Sequence, residues 1–250
     1  SKFKTTMARR MAGLLQETCL STPASRLALS TLVAVGVLLP LQAHAANFNV
    51  GTEAQLRNAI STAANGDTIT FTADIALTSP LPNLQRSIMI NGANFTLSGS
   101  NHSRVLNVQS GTVDLVDLKI VNGRVQGGSG GNAGSGGGGG GGAAGHGGAL
   151  YIASTGAVTA TNVSFNGNTA SGGNGGHRAS NAPGGGGGGG GTSGNGANAN
   201  AGGAGGAGGG GNGSPTASGQ GQPGGFGGGG GGGGQQGGGG GFGGGGGGGG

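Results

Sequence analysis

Of the 73 glycines in this chain of 250 residues, 65 lie beyond residue 126, where they form unbroken runs such as 184–191 and 243–250. Ordering one residue's backbone costs about 1 to 2 kcal/mol, a buried Val, Leu or Ile returns about 1.5 to 3, and glycine returns almost nothing by burial. The second half of the chain therefore cannot build an ordinary hydrophobic core. Collagen requires Gly at every third position with abundant Pro, and neither the runs nor the 7 prolines fit that rule. The stretches 124–148 and 169–250 are expected to be flexible loops. The alternative, an ordered lattice of polyproline-II-like strands, needs a register that the sequence does not visibly specify.

The net charge of +5 and the pI near 10.4 raise nucleic acid and anionic membrane as partners. The excess base, however, is concentrated in residues 1–45, where Lys2, Lys4, Arg9, Arg10 and Arg26 oppose Glu17. Past Arg124 the only charged side chain is Arg178. The glycine-rich half thus has no basic stripe with which to neutralise phosphates, and no nucleic-acid partner is expected.

The basic start leads into an apolar run from Leu27 to Leu41 and then into Gln42-Ala43-His44-Ala45. This is the layout of an export signal with small residues before the cleavage point, so cleavage between Ala45 and Ala46 is expected. Fifteen apolar residues at about 1.5 Å each cover only ~22 Å of a ~30 Å hydrocarbon core, which argues against a membrane span. The long region before the apolar run resembles the extended signal peptides of bacterial type V secretion, although Met7 and Met11 are alternative starts. Cys19, the single cysteine, falls inside this segment, so no disulfide or thiol chemistry is expected after export.

From residue 46 to 123 the texture is that of a folded domain. Asn47 to Val50 alternates like a short strand, and Thr52-Glu53-Ala54-Gln55 has the form of a helix capping box. Leu56, Ala59, Ile60 and Ala63 recur at helical spacing, and Asn65-Gly66-Asp67 ends the helix. Short β-like runs follow at 68–72, 87–90, 95–97, 105–108 and 113–121. Residues 104–123 can then be laid on 149–168 at an offset of 45. Val105 falls on Leu150, Val108 on Ala153, Gly111 on Gly156, Val113 on Val158, Leu115 on Ala160, Leu118 on Val163 and Ile120 on Phe165. A unit of this size cannot close a core alone, whereas stacking units ~4.8 Å apart lets aliphatic ladders bury one another. The fold expected is all-β, a right-handed parallel β-helix with a short N-terminal capping helix. Residues 46–123 would form the cap and first coils, 149–168 a further coil, and 124–148 and 169–250 glycine-rich insertions.

Gly147-Gly148-Ala149-Leu150 and Phe165-Asn166-Gly167-Asn168 resemble the Gly-Gly-Ala-(Ile/Leu/Val) and Phe-x-x-Asn motifs of polymorphic outer-membrane-protein autotransporters. The stretch from Phe48 to Gly123 is similar to the opening coils of β-helical autotransporter passengers. In the earlier unit, Ile120-Val121-Asn122-Gly123 stands in place of Phe-x-x-Asn. The resemblance implies a passenger exported through the periplasm and displayed at the outer membrane by a C-terminal translocator barrel, with host or neighbouring cell-surface molecules as partners. No barrel pattern occurs in these residues, so an N-terminal portion of a longer protein is expected.

Asp114 and Asp117, with Lys119, Arg104 and Arg124 nearby, form the best catalytic cluster in the sequence. Polysaccharide lyases on β-helices also use carboxylates for Ca²⁺ and a basic residue as proton acceptor. Two carboxylates fall short of the six to eight oxygens that Ca²⁺ takes, and strand alternation does not require Asp114 and Lys119 to share a face. Asp67 and Asp74 read as turn and loop residues. His102, His146 and His177 are not at metal-ligand spacing, and residues 127–250 contain no carboxylate for glycine-rich Ca²⁺ repeats. No catalytic residue, metal or cofactor is expected. A surface adhesion passenger is the leading reading; a polysaccharide-active β-helix enzyme and a structural glycine-rich surface protein are the alternatives.

Overall fold

The computed structural model describes residues 45–250 except 135–136, 179–185, 193, 199–201, 217 and 250. The segment expected to direct export lies outside the described residues through His44, with Cys19 among them. From Ala46 onward the regular structure is mostly strands in parallel sheets, with one helix.

Strand β1 (Asn47–Val50) leads into helix α1 (Glu53–Thr62). Thr52 Oγ1 accepts the Gln55 N–H (3.3 Å), and Gln55 Oε1 accepts the Gly51 N–H (2.8 Å), so the expected capping residues fix the helix start from both sides. The expected stripe of Leu56, Ala59, Ile60 and Ala63 is buried in the core. Gly66, at φ 92°, makes the turn out of the helix.

The remaining strands are β2 (Thr68–Phe71), β3 (Ile75–Ala76), β4 (Ile88–Asn91), β5 (Thr96–Ser98), β6 (Leu106–Val116), β7 (Lys119–Val121), β8 (Arg124–Gln126), β9 (Leu150–Thr161), β10 (Ser164–Asn166) and β11 (Thr169–Ser171). They form three sheets, ordered β1-β2-β4-β6-β9, β3-β5-β7-β10 and β8-β11, and every strand pairing is parallel. From β6 onward the chain visits the three sheets in turn, and then does so again. Parallel register places like on like: Ile75, Leu97, Ile120 and Phe165 line up in one ladder, and Phe48, Ile69, Ile90, Leu115 and Ala160 in another. Each fully buried aliphatic side chain in these ladders stabilises by about 1.5 to 3 kcal/mol.

Val113 lies opposite Val158, Leu115 opposite Ala160, Gly111 opposite Gly156 and Ile120 opposite Phe165, as the 45-residue offset requires. Two pairings differ. Leu106, not Val105, faces Leu150, and Val108 faces Ile152, not Ala153. The offset is one residue shorter there because Ala153 and Ser154 together oppose Gln109, a bulge that restores the longer offset by Ser110. Strand β6 also runs unbroken through residues 109–112, where the sequence suggests a break. Gly111 permits this at φ 79°, with Arg86 backbone against it where a Cβ would stand. Strands β3, β8 and β11 were not anticipated, so the parallel pairing extends into the start of both glycine-rich stretches.

The glycine-rich stretches depart most from expectation, because they are extensively hydrogen-bonded. Gly128 and Gly131 donate to the carbonyls of Gly191 and Gly188 (2.9 and 2.7 Å), and Gly138 and Gly141 to those of Gly233 and Gly230 (2.9 and 2.7 Å). Gly229 and Gly232 donate to Gly190 and Gly187 (2.8 and 2.7 Å), and Gly245 and Gly248 to Gly142 and Gly139 (2.8 Å each). Donors recur every third residue, which is the period of a polyproline II helix. Residues 137–142, 186–191 and 227–234 are buried. A Cβ built on Gly140 would run into the Gly188 carbonyl, and one on Gly188 into that of Ala204, so neighbouring strands lie closer than any side chain allows. Counting side-chain burial alone omits this source of order. Paired backbone groups contribute about 0.5 to 1.5 kcal/mol each, and close Cα–H···O contacts add to them.

A chain carrying Asp114→Cys and Thr159→Cys, directly opposite each other on β6 and β9, should form an intramolecular disulfide under mild oxidation once Cys19 is replaced by Ser. A pairing one residue out, Asp114→Cys with Ala160→Cys, should form it far more slowly, as read by thiol titration and gel mobility. Gly140→Ala should destabilise the glycine lattice by about 1 to 3 kcal/mol through overpacking and accelerate proteolysis within residues 127–250. Gly239→Ala, where a Cβ meets nothing within 4 Å, should leave the cleavage rate unchanged.

Candidate functional site

The residues singled out as possible chemistry do not converge on a reacting centre. Asp114 lies in β6 between Met89 and Thr159. Asp117 occupies the following turn at φ 49°, where its carbonyl accepts the Asn94 N–H (2.7 Å) and its carboxylate accepts from Asn162 Nδ2. Lys119 and Arg124 are exposed. Arg104 is turned elsewhere: its guanidinium donates to the carbonyls of Gly147 (3.0 Å) and His146 (2.7 Å) and lies 5.0 Å from the Tyr151 ring centroid. Burial pulls this guanidinium below its ordinary value, while Tyr151 acts in the opposite direction. Among the described residues no group of three or more His, Cys, Asp or Glu could hold a metal ion.

The other carboxylates are structural. Asp67 is buried and accepts the backbone N–H groups of Ala46 and Ala64 (2.7 Å each), which ties the start of β1 to the end of α1. Those two bonds hold its carboxyl below the usual range, against the opposing effect of burial. Burial acts to raise Glu53, but its bonds to Arg57, to the Thr78 N–H and to the Thr78 hydroxyl outweigh it together and bring the carboxyl down to about 2. Asp74 accepts the Thr96 N–H (2.7 Å).

The motif residues act as corners. Gly147 stands at φ 57° with the Leu150 carbonyl where a Cβ would be, and a Cβ on Gly148 would meet the Thr169 carbonyl. The carbonyls of Gly148 and Ala149 accept the N–H groups of Val105 (3.3 Å) and Leu106 (2.8 Å), launching Leu150 into β9 beside β6. Asn168 Oδ1 accepts the Gly123 N–H (2.7 Å) and Nδ2 donates to the Ile120 carbonyl (2.9 Å), so this side chain joins two tiers. Phe165 continues the Ile75–Leu97–Ile120 ladder but is 49% exposed.

Two hollows bear on the site. One of about 500 Å³ is lined by Gln126, Gly127, Gly128, Ser129, Gly194 and Asn195, with no titratable side chain. The other, about 360 Å³, lies beside α1 and includes Arg86 as its single charge. Neither assembles an acid, a base and a nucleophile. His102 Nδ1 approaches the Ser100 carbonyl, and His177, which is exposed, donates its backbone N–H to Asn132 Oδ1 (2.8 Å).

His146 belongs to an arrangement that the sequence reading passed over. Its ring stacks on Phe226 (centroids 5.2 Å apart, planes 13° apart), and Phe226 stacks on Phe242 (5.7 Å, 5°). The Tyr151 ring is tilted by 56° to that of His146, with centroids 6.3 Å apart. Phe226 and Phe242 are 65% and 78% exposed. A signal was available: Gln220 and Phe226, then Gln236 and Phe242, repeat at an offset of sixteen residues inside what reads as low complexity.

No family model, curated protein or solved structure matches the chain.

Because both carboxyls are depressed in the folded state, their stabilisation is fully present above the unfolded values near 4 to 4.5 and is lost as pH falls through the folded values. The thermal midpoint should therefore be level above about pH 5 and decline from there towards pH 2. Glu53→Gln with Asp67→Asn should lower the plateau and flatten the decline, as followed by circular dichroism.

Proposed function

We propose that the chain is a passenger segment of an exported bacterial protein of the autotransporter type, with its parallel strands wound as a right-handed β-helix that serves adhesion. The observation that carries this reading is the order in which the chain visits its sheets: β6, β7 and β8 are followed by β9, β10 and β11, each paired in parallel with its predecessor. Such succession stacks one turn of chain on the next without a helix in each crossover. Helix α1 covers the first tier and acts as the cap.

Export is supported by the way Ala46 is held. Ala46, the first residue after the expected cleavage point, already has its N–H on Asp67 and its carbonyl on the Thr68 N–H (2.8 Å). Processing between Ala45 and Ala46 would turn that N–H into an ammonium group facing a carboxylate. Adhesion rather than catalysis is supported by the structural employment of Asp67, Glu53, Asp74 and Asp117. The proposed partners are molecules of a host or neighbouring cell surface, with display at the outer membrane through a translocator domain.

Expression of the full chain in a Gram-negative host, followed by fractionation and intact mass measurement, tests the reading. A product outside the cytoplasm that begins at Ala46 is expected. Retention of the unprocessed chain in the cytoplasm would overturn export, and with it display at the cell surface.

A further inference from the structure

We propose that the paired strands around Phe226 and Phe242 bind a neutral saccharide, with the outer face of Phe242 as the stacking platform. Gly221, Gly224 and Gly227 donate to the carbonyls of Gln236, Gly239 and Phe242 (2.9, 2.8 and 3.1 Å), so the two segments run side by side in constant register with a three-residue period. At that period residues three apart share a side. Gln220, Pro223 and Phe226 therefore share one side of the first segment, and Gln236, Gly239 and Phe242 one side of the second; all six are exposed. The amides meet across the pair, Gln220 Nε2 donating to Gln236 Oε1 (2.9 Å), and the two phenyl rings stack. The result is a shallow face with amides at one end, aromatic rings at the other and the Pro223 ring between, about 19 Å long at 3.1 Å per residue over six residues.

Packing does not account for these rings. At 65% and 78% exposure they bury little against the lattice, and the two segments that carry them are joined by backbone hydrogen bonds. The rings are nevertheless stacked in series. Phe242 rests on Phe226, Phe226 on His146, and His146 is fixed through its carbonyl by Arg104, which itself packs on Tyr151. A planar apolar ring fixed before binding loses little conformational entropy when a partner stacks on it.

The surroundings select an uncharged partner. From residue 172 onward the only charged side chain is Arg178, so neither phosphates nor anionic lipid headgroups find a counter-charge on these segments. A sugar ring offers an apolar C–H face for Phe242 and hydroxyls for amides that both donate and accept. This ligand class goes beyond the general adhesion reading: absence of saccharide binding leaves export and display standing, and failure of export leaves the saccharide face standing.

Native affinity electrophoresis of the full chain through gels containing soluble β-glucan, xylan or galactomannan tests the proposal, with dextran sulfate and phosphatidylcholine vesicles as comparisons. Retardation by at least one neutral polymer is expected. Phe242→Ala should weaken it about tenfold or more, and Phe226→Ala and the Gln220→Ala/Gln236→Ala pair less. Phe165→Ala, which removes a half-exposed phenyl from the strand region, should leave it unchanged. Circular dichroism and proteolysis rates of Phe242→Ala should match the parent, since the ring supports no core. No retardation by any of the three neutral polymers, or retardation unaffected by Phe242→Ala, would overturn the proposal. Binding only to the vesicles, lost with Phe242→Ala, would also overturn it and assign the face to membrane.

Discussion

A buried peptide group must find a hydrogen-bond partner, and this one requirement organises both halves of the molecule. In residues 46–123 and 149–171 the partners are found along parallel strands, and the space between sheets is filled by Leu, Ile, Val and Phe side chains. In the glycine-rich stretches the partners are found every third residue between extended segments, and the space is filled by backbone. Gly140 and Gly188 show the consequence: their neighbours' carbonyls occupy the place of a Cβ. Glycine is thus required there by close approach, and long uniform runs follow because successive positions of each buried segment face another backbone.

The two solutions are continuous with each other. β8 pairs with β11, and the same register carries on as Gly127, Gly130 and Ala133 donate to Ser171, Asn174 and His177. The lattice therefore grows out of the last tier of strands and inherits its alignment. Arg104 and Tyr151 strengthen the join from the strand side by holding the His146–Gly147 corner, at which the chain returns from the first glycine stretch into β9.

The parts of the fold that were legible in the sequence are those in which a local cause acts on a named residue. Thr52 and Gln55 announce the helix start because capping is a short-range bond, and Leu56 to Ala63 announce its buried face because helical periodicity is local. The offset linking Val113 to Val158 is legible because parallel stacking puts similar side chains on top of one another. The slip at Val108 is not legible, since the extra residue at Ala153 and Ser154 shows only when two strands distant in sequence are paired. Ile75–Ala76 is too short to show alternation. Order in the glycine segments was missed for a deeper reason: glycine carries no side-chain pattern, so the register of the lattice is set by backbone pairing between distant segments. The sixteen-residue repeat of Gln and Phe is the only trace of that register in the side chains of residues 219–250, and it marks the pair of segments whose exposed rings stack.

The same geometry separates buried backbone from exposed side chains within the glycine stretches. Their interior is built mostly from peptide groups and admits few side chains, such as the small buried Ala143 and Ser214, so a large residue must either sit on the surface or break the packing. Phe226, Phe242 and the neighbouring glutamines take the first course. In an ordinary core an aromatic residue is committed to packing, and its removal leaves a cavity. Here the aromatic residues are released from that duty while the lattice beneath them is held by its own backbone bonds, which lets side chains on such a surface differ in identity without altering the fold that presents them.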